Sequence, residues 1–172
     1  MGEEEELFTD GWLAIARLEP YRVDWRAPDG RFVRGPPLPV PVVKLDDREK
    51  KAYLDRNAKI IADLQKLPTE RQASAGREYS EFPVTIPPFE SNPLVASADG
   101  RLFIRRTLSA DHPETRYDVV NRRGLLEGQI ALGKNERIVA VSTRSVYVVW
   151  KDEDDIERLR RHPWPAERPI AP

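Results

Sequence analysis

The sequence predicts a mainly β protein, built of antiparallel meanders and interrupted by one amphipathic α-helix. Three observations carry this. Asp-Gly pairs stand between short β-prone runs at 10–11, 29–30 and 99–100, a turn-plus-strand pattern recurs, and one helical stripe lies between proline-rich stretches. Asp-Gly favours tight turns because Gly takes positive φ without a Cβ clash and Asp bonds nearby backbone groups.

In chain order, Trp12 to Ala16, Tyr21 to Trp25 and Arg31 to Val33 read as strands broken at Glu19-Pro20 and at Pro28-Asp29-Gly30, giving two hairpins. From Gly35 to Val43 the prolines remove amides that a central strand needs, so this run is expected to be extended and to lead out of the sheet. Asp46 stands three residues before Glu49 in a capping-box-like arrangement, and Tyr53, Leu54, Ile60, Ile61, Leu64 and Leu67 recur at helical spacing up to Pro68. These side chains fill an arc of roughly 140°, the geometry of a helix over about 45–67 lying on another layer. Residues 69 to 92 have weak periodicity and read as a long surface loop.

β-Structure resumes at Leu94-Val95-Ala96 and continues through Leu102 to Ile104, Tyr117 to Val120 and Leu125 to Leu132. The next pair, Ile138 to Val141 and Val146 to Trp150, lacks polar alternation, which predicts a sheet covered on both faces. Ile156 to Arg160 is expected to return as another strand.

Asp10-Gly11-Trp12-Leu13-Ala14-Ile15-Ala16 matches Asp99-Gly100-Arg101-Leu102-Phe103-Ile104-Arg105 as a turn followed by an apolar strand. Each leads to a Tyr-x-Val and a further turn: Tyr21-Arg22-Val23 into Asp29-Gly30, and Tyr117-Asp118-Val119 into Arg123-Gly124. A weaker copy, Arg144 to Trp150, follows the second by about 45 residues, the period of four-stranded blades. In these residues the chain resembles bacterial six-bladed β-propeller proteins of the NHL or TolB-like sort, over 10–32, 45–67 and 94–150.

The resemblance implies two to three antiparallel propeller-like blades with the inserted helix, in a domain over 10–161. An acidic N-terminal tail (1–9) precedes it and a Pro-rich C-terminal tail (162–172) follows. It further implies the C-terminal part of a propeller whose first blade lacks its innermost strand. Exposed blade faces and edges would then be covered by self-association, by a protein or peptide partner, or by the helix acting as a cap.

Composition narrows the functions. Lys and Arg number 28 against 29 Asp and Glu, so the chain lacks the bulk positive charge that phosphate-backbone binding exploits, and no nucleic-acid partner is expected. With no cysteine, disulfides, thiolate zinc sites and cysteine nucleophiles are excluded. No apolar run has the length of a membrane span. Met1 to Phe8 carries neither the basic nor the apolar part of a secretory signal, which reads as cytoplasmic as written and extracytoplasmic if an export signal lies upstream.

Candidate binding residues are Arg101, Arg105, Arg116 and Arg122, from an arginine-rich stretch that suits an anion or acidic partner, and Trp164, in a Pro-rich segment able to dock on a partner or on the chain's own groove. Successive strand residues such as Arg105 and Arg106 point to opposite faces, so the stretch is not automatically one patch. His112 and His162 have no companion ligands at metal-site spacing. Asp152 to Asp155 reads as a solvated turn, and Glu3 to Glu6 as a solvated terminal run. No catalytic motif, metal site or cofactor site is predicted. The expected function is a non-enzymatic binding or interaction module of propeller type. The alternative is a fragment of a propeller enzyme, of lyase or lactonase type, whose active site draws on other blades.

Overall fold

Four turns of one geometry set the architecture. In each, a residue donates its amide to the carbonyl four positions on and accepts the amide three positions on. Phe8 does so with Trp12 (2.8 Å) and Gly11 (2.9 Å), Ala27 with Arg31 (2.8 Å) and Gly30 (2.9 Å), Ser97 with Arg101 (2.9 Å) and Gly100 (3.0 Å), and Asn121 with Leu125 (3.0 Å) and Gly124 (2.9 Å). The fourth residue is always a glycine with φ between 74° and 86°, a region closed to most L side chains.

The computed structural model describes residues 3–52, 54–55, 58, 84–112, 114–154 and 156–164. Among them, the turns join strands into three antiparallel sheets. Sheet 1 is β1 (Glu4–Leu7), β2 (Leu13–Arg17), β3 (Arg22–Arg26) and β4 (Phe32–Val33); sheet 2 is β5 (Phe89–Ala96), β6 (Leu102–Arg106), β7 (Thr115–Val120) and β8 (Leu126–Leu132). Sheet 3 is β9 (Glu136–Val141), β10 (Ser145–Lys151) and β11 (Glu157–Pro163). Each is an up-and-down meander of blade-like form, and the first strands β1, β5 and β9 lie side by side. A parallel bridge joins Ser97 to Val141, and the Ala98 amide donates to the Val141 carbonyl at 3.2 Å, so neighbouring first strands run the same way.

Packing follows from the period of two in each strand. One face of sheet 1, with Ala14, Ala16, Val23 and Trp25, meets Leu102, Ile104 and Val120 of sheet 2. The opposite face of sheet 2, with Phe103, Tyr117 and Val119, meets Ile138, Val141, Val146 and Val148 of sheet 3. Sheet 2 is therefore dry on both sides, each large apolar side chain contributing about 1.5–3 kcal/mol of burial. Sheet 3 departs from the expectation of two covered faces. Val139 and Leu159 are 37% and 63% exposed, and Tyr147 and Val149 only half-buried, because the continuous apolar run fills a single interface and leaves its other side outward.

Three other expectations are corrected. Sheet 1 has a further strand before Leu13: the glutamate run expected to be an acidic tail is β1, registered Glu4↔Ala16 to Leu7↔Leu13. Strand pairing uses backbone groups and tolerates these side chains, and Glu3 forms an ion pair with Arg17. The proline run does leave the β-ladder but enters the core, where Leu38 is buried and its amide donates to the Tyr21 carbonyl at 2.8 Å. Strand β5 begins at Phe89, inside the stretch read as loop. The Phe89 ring is buried 5.9 Å from that of Tyr21, and a register shift before Leu94 accommodates the irregular backbone there, where Asn92 has φ 54°.

Helical backbone covers 47–52 and is found again at 54, 55 and 58. Asp46 caps it, its Oδ1 accepting the Glu49 amide at 2.8 Å. Glu49 does not complete a capping box. Its buried carboxylate accepts the Ser109 hydroxyl and the Ala110 amide, both at 2.7 Å, tying the helix start to the β6–β7 connection. Leu54 is 53% exposed. Tyr53, Ile60, Ile61, Leu64, Leu67 and the loop through residue 83 lie outside the described residues.

The turns yield a paired prediction. A Cβ on Gly30 would meet nothing within 4 Å, so Gly30→Ala is expected to cost only the positive-φ penalty, about 1–2 kcal/mol. A Cβ on Gly124 would lie 2.4 Å from the Gly35 Cα and 2.7 Å from the Val23 carbonyl oxygen. Gly124→Ala should therefore lower the urea midpoint at least about twice as far, with an unchanged m-value.

Candidate functional site

Because the first strands run the same way, all four glycine turns and the β9–β10 turn emerge at one end of the sheets. There the turns at 8–11, 97–100 and 121–124 and the β9–β10 turn frame a cleft of about 770 Å³ lined by Asp10, Asp99, Arg101, Arg122, Glu127 and Thr143, among others. The acidic or amide residue of each turn folds back on its own backbone: Asp29 Oδ1 accepts the Arg31 amide at 3.0 Å, and Asn121 Oδ1 accepts those of Arg123 at 2.9 Å and Leu125 at 3.1 Å.

Three of the five candidate residues gather here. Arg122 bonds Asp10 across the sheet 1–sheet 2 boundary, with its guanidinium 4.9 Å from the Trp12 ring centroid and 5.6 Å from that of Phe8. That hydrogen bond and charge hold the Asp10 carboxyl below the usual carboxylate range. Gly100 gives Arg122 its place, since a Cβ there would lie 2.9 Å from Nε. Arg101 is held by Asp99 and by Glu127, whose Oε2 is 2.6 Å from Nε. Trp164 docks on the chain's own groove. Its amide donates to the Arg144 carbonyl at 2.8 Å, its ring meets Phe103 at 5.1 Å, and Nε1 reaches Asp99 at 3.4 Å, fastening sheet 3 to sheet 2.

Arg105 and Arg116 stand apart from this group. Arg105 lies on the face of β6 that carries Phe103, and Arg116 pairs with Glu114 at 2.8 Å on the opposite face of the sheet. The cleft is balanced: Arg101, Arg122 and Arg123 against Asp10, Asp99 and Glu127, with Arg101 and Arg122 engaged internally. Arg101 and Arg122 fasten turns together.

Comparison with family models, curated proteins and solved structures returns no match. The chemistry of this chain is therefore read from its geometry. Among the described residues no group of three or more His, Cys, Asp or Glu side chains is placed to hold a metal ion. His112 lies 3.2 Å from Glu114, and His162 sits on β11 opposite Val146. Asp152 closes the β10–β11 turn by accepting the Asp154 and Ile156 amides at 3.1 and 2.9 Å and pairing with Arg158 at 2.8 Å.

A second polar constellation is buried between sheets 1 and 2 and went unread in the sequence. Asp118, fully buried, accepts Arg106 at 3.2 Å, the Tyr21 hydroxyl at 2.9 Å and Gln129 at 2.7 Å. Burial, with the Asp118 charge beside it, pushes the Tyr21 phenol well above its ordinary range, so it stays a donor. The same pair recurs in sheet 1, where buried Asp24 accepts Arg17 and Arg22 at 3.0 Å each and the Gly35 amide at 3.2 Å. Register makes them equivalent: Asp24 stands opposite Ile15 and Asp118 opposite Ile104, with the arginine two positions beyond each isoleucine. A sequence signal existed. Arg17 and Arg106 each follow a turn glycine, Gly11 or Gly100, by six positions, and Asp24 and Asp118 each precede one, Gly30 or Gly124, by six. The Tyr-x-Val repeat obscured it, since turn alignment sets Tyr117 against Val23 rather than Tyr21.

Removing Asp118 alone leaves Arg106 charged and buried, and Asp118→Ala is expected to cost about 3–5 kcal/mol. The triple variant Tyr21→Phe/Arg106→Met/Asp118→Leu, which also removes the hydroxyl that donates to Asp118, should recover most of that loss in urea unfolding. At Asp24 burial raises the carboxyl, but Arg22 and Arg17 outweigh it and the net shift is downward. Its stabilisation is therefore present above the unfolded value of about 3.9 and lost as pH falls through the lower folded value. Asp24→Asn is expected to be destabilising at pH 7 and to flatten the acid limb of stability below about pH 4, as read by urea midpoints across that range.

Proposed function

We propose that this chain is a non-enzymatic interaction module of propeller type, and that its contacts are made through the outward faces of sheets 1 and 3. The observation that carries the reading is the contrast between sheets. Sheet 2 buries apolar side chains on both faces, whereas sheet 1 turns Leu7 (69% exposed) and Phe32 (52%) outward and sheet 3 turns Val139 and Leu159 outward. Leu7, Leu13 and Phe32 share one row across the outward face of sheet 1, and apolar side chains that share a face mark contact surfaces more often than isolated exposed ones do. The balanced, internally engaged charge of the turn cleft supports a face-based rather than an anion-based contact. The stacking of blade-like sheets and the turn repeat support the propeller form, a fold that hosts many unrelated functions.

The test is hydrophobic-dye fluorescence of the folded chain at submicromolar concentration. Dye binding that falls by at least about half in Phe32→Lys/Leu159→Lys, with the thermal midpoint little changed, is expected. A wild-type chain that is monomeric under these conditions and still binds no dye has no accessible apolar face, and the reading fails.

A further inference from the structure

We propose that the outward face of sheet 1 receives the outward face of sheet 3 from a second copy of this chain, in a head-to-tail contact that two copies close into a ring. This rests on the reading of those faces as contact surfaces and names their occupant.

The argument begins with the interface already inside the chain. Sheet 2 receives sheet 1 on the face that carries the Arg106–Asp118 pair. The outward face of sheet 1 repeats that face, with Arg17–Asp24 in the same register beside Ile15. Sheet 1 is thus built to receive a sheet as sheet 2 does. The face that sheet 3 turns outward is the one left over after it has packed on sheet 2, as the face of sheet 2 against sheet 3 is left over after sheet 2 has received sheet 1.

Strand register gives the rows that would meet. Across sheet 1 they are Leu7–Leu13–Arg26–Phe32 and Glu5–Ile15–Asp24; across sheet 3 they are Ala140–Tyr147–Arg161 and Arg137–Val149–Leu159. Placing the first strands side by side, as β5 lies beside β9, would bring the end of β1 that carries Leu7 and exposed Glu5 against the end of β9 that carries Ala140 and Arg137, the latter held at 3.2 Å by Glu157 of its own sheet. Arg26 and Arg161 fall toward the outer rim, where solvent and salt screen them.

The partner is a copy rather than an unrelated sheet because this chain supplies both halves of the contact: a face of sheet 1 that repeats, in register, the face on which sheet 2 receives a sheet, and a face of sheet 3 left over as the corresponding face of sheet 2 is. A heterologous contact makes either a ring or a filament. Radial arrays of such sheets close with about four to eight of them, and among multiples of the three sheets described here only six falls in that range. Two copies supply six.

The absence of native cysteine makes the geometry testable by disulfide trapping. Leu7→Cys and Ala140→Cys chains are prepared separately, mixed and oxidised. The expected result is a disulfide-linked pair in the mixture but in neither chain alone, together with a discrete species of twice 19.8 kDa by light scattering. Leu159→Glu should raise the concentration at which that species forms by at least about tenfold. A disulfide formed by either single variant with itself would mean a face-to-same-face dimer and would overturn the proposal, as would an open-ended polymer. A chain that stays monomeric and untrapped at every concentration overturns it too. In that case retained dye binding on the two faces leaves the interaction module standing with a different partner, and its loss sinks both.

Discussion

The burial of one charged pair constrains more of this protein than any other contact. Asp118 has no exposure and Arg106 very little, so each requires the other and each requires the groups around them. Tyr21 comes from the β2–β3 turn of sheet 1, Gln129 from β8, and the Pro41 carbonyl, which accepts Arg106 at 3.4 Å, from the proline run. A shift of any of these elements strands a buried charge, a far larger penalty than the loss of one apolar contact. The pair therefore fixes how sheet 1 sits on sheet 2 and why the proline run passes between them.

A tyrosine performs a related task at the next boundary. Tyr117 accepts the Ile138 amide at 3.0 Å, occupying a backbone donor on the edge strand β9 of sheet 3. Burial raises its phenol above the ordinary range, which keeps the hydroxyl neutral there. Successive sheets are thus linked by one polar contact set in an apolar interface, which adds direction to an otherwise non-directional packing force. At the turn end, Arg122–Asp10 and Trp164–Asp99 repeat the stitching across the same two boundaries at the surface.

The stitching bears on function because it leaves the turn cleft electrically quiet while the outward faces present exposed apolar side chains among their charges. Specificity in such a molecule would come from shape, register and a few edge charges rather than from a concentrated field. The repeated Arg–Asp pair on the outward side of sheet 1 gives that face a fixed polar landmark beside Ile15, which sets the register of whatever packs there.

Local chemistry was legible in the sequence and assembly was not. Gly11, Gly30, Gly100 and Gly124 determined the four turns, because positive φ is a property of a residue and its neighbours, and the alternation or continuity of apolar residues placed β2, β3, β6, β7, β9 and β10. The Asp46 cap was equally local. Only the tertiary structure decided that Glu4–Leu7 is a strand, since its pairing is backbone chemistry supplied by β2, and that Phe89 begins β5, since its ring is drawn in by Tyr21. Trp164 alone is an aromatic in a proline-rich segment; Phe103 and Asp99, more than sixty positions away, make it a latch. The candidate arginines show the same division: their number and spacing belong to the sequence, but whether each faces a ligand or a carboxylate depends on which turns the folded sheets bring together.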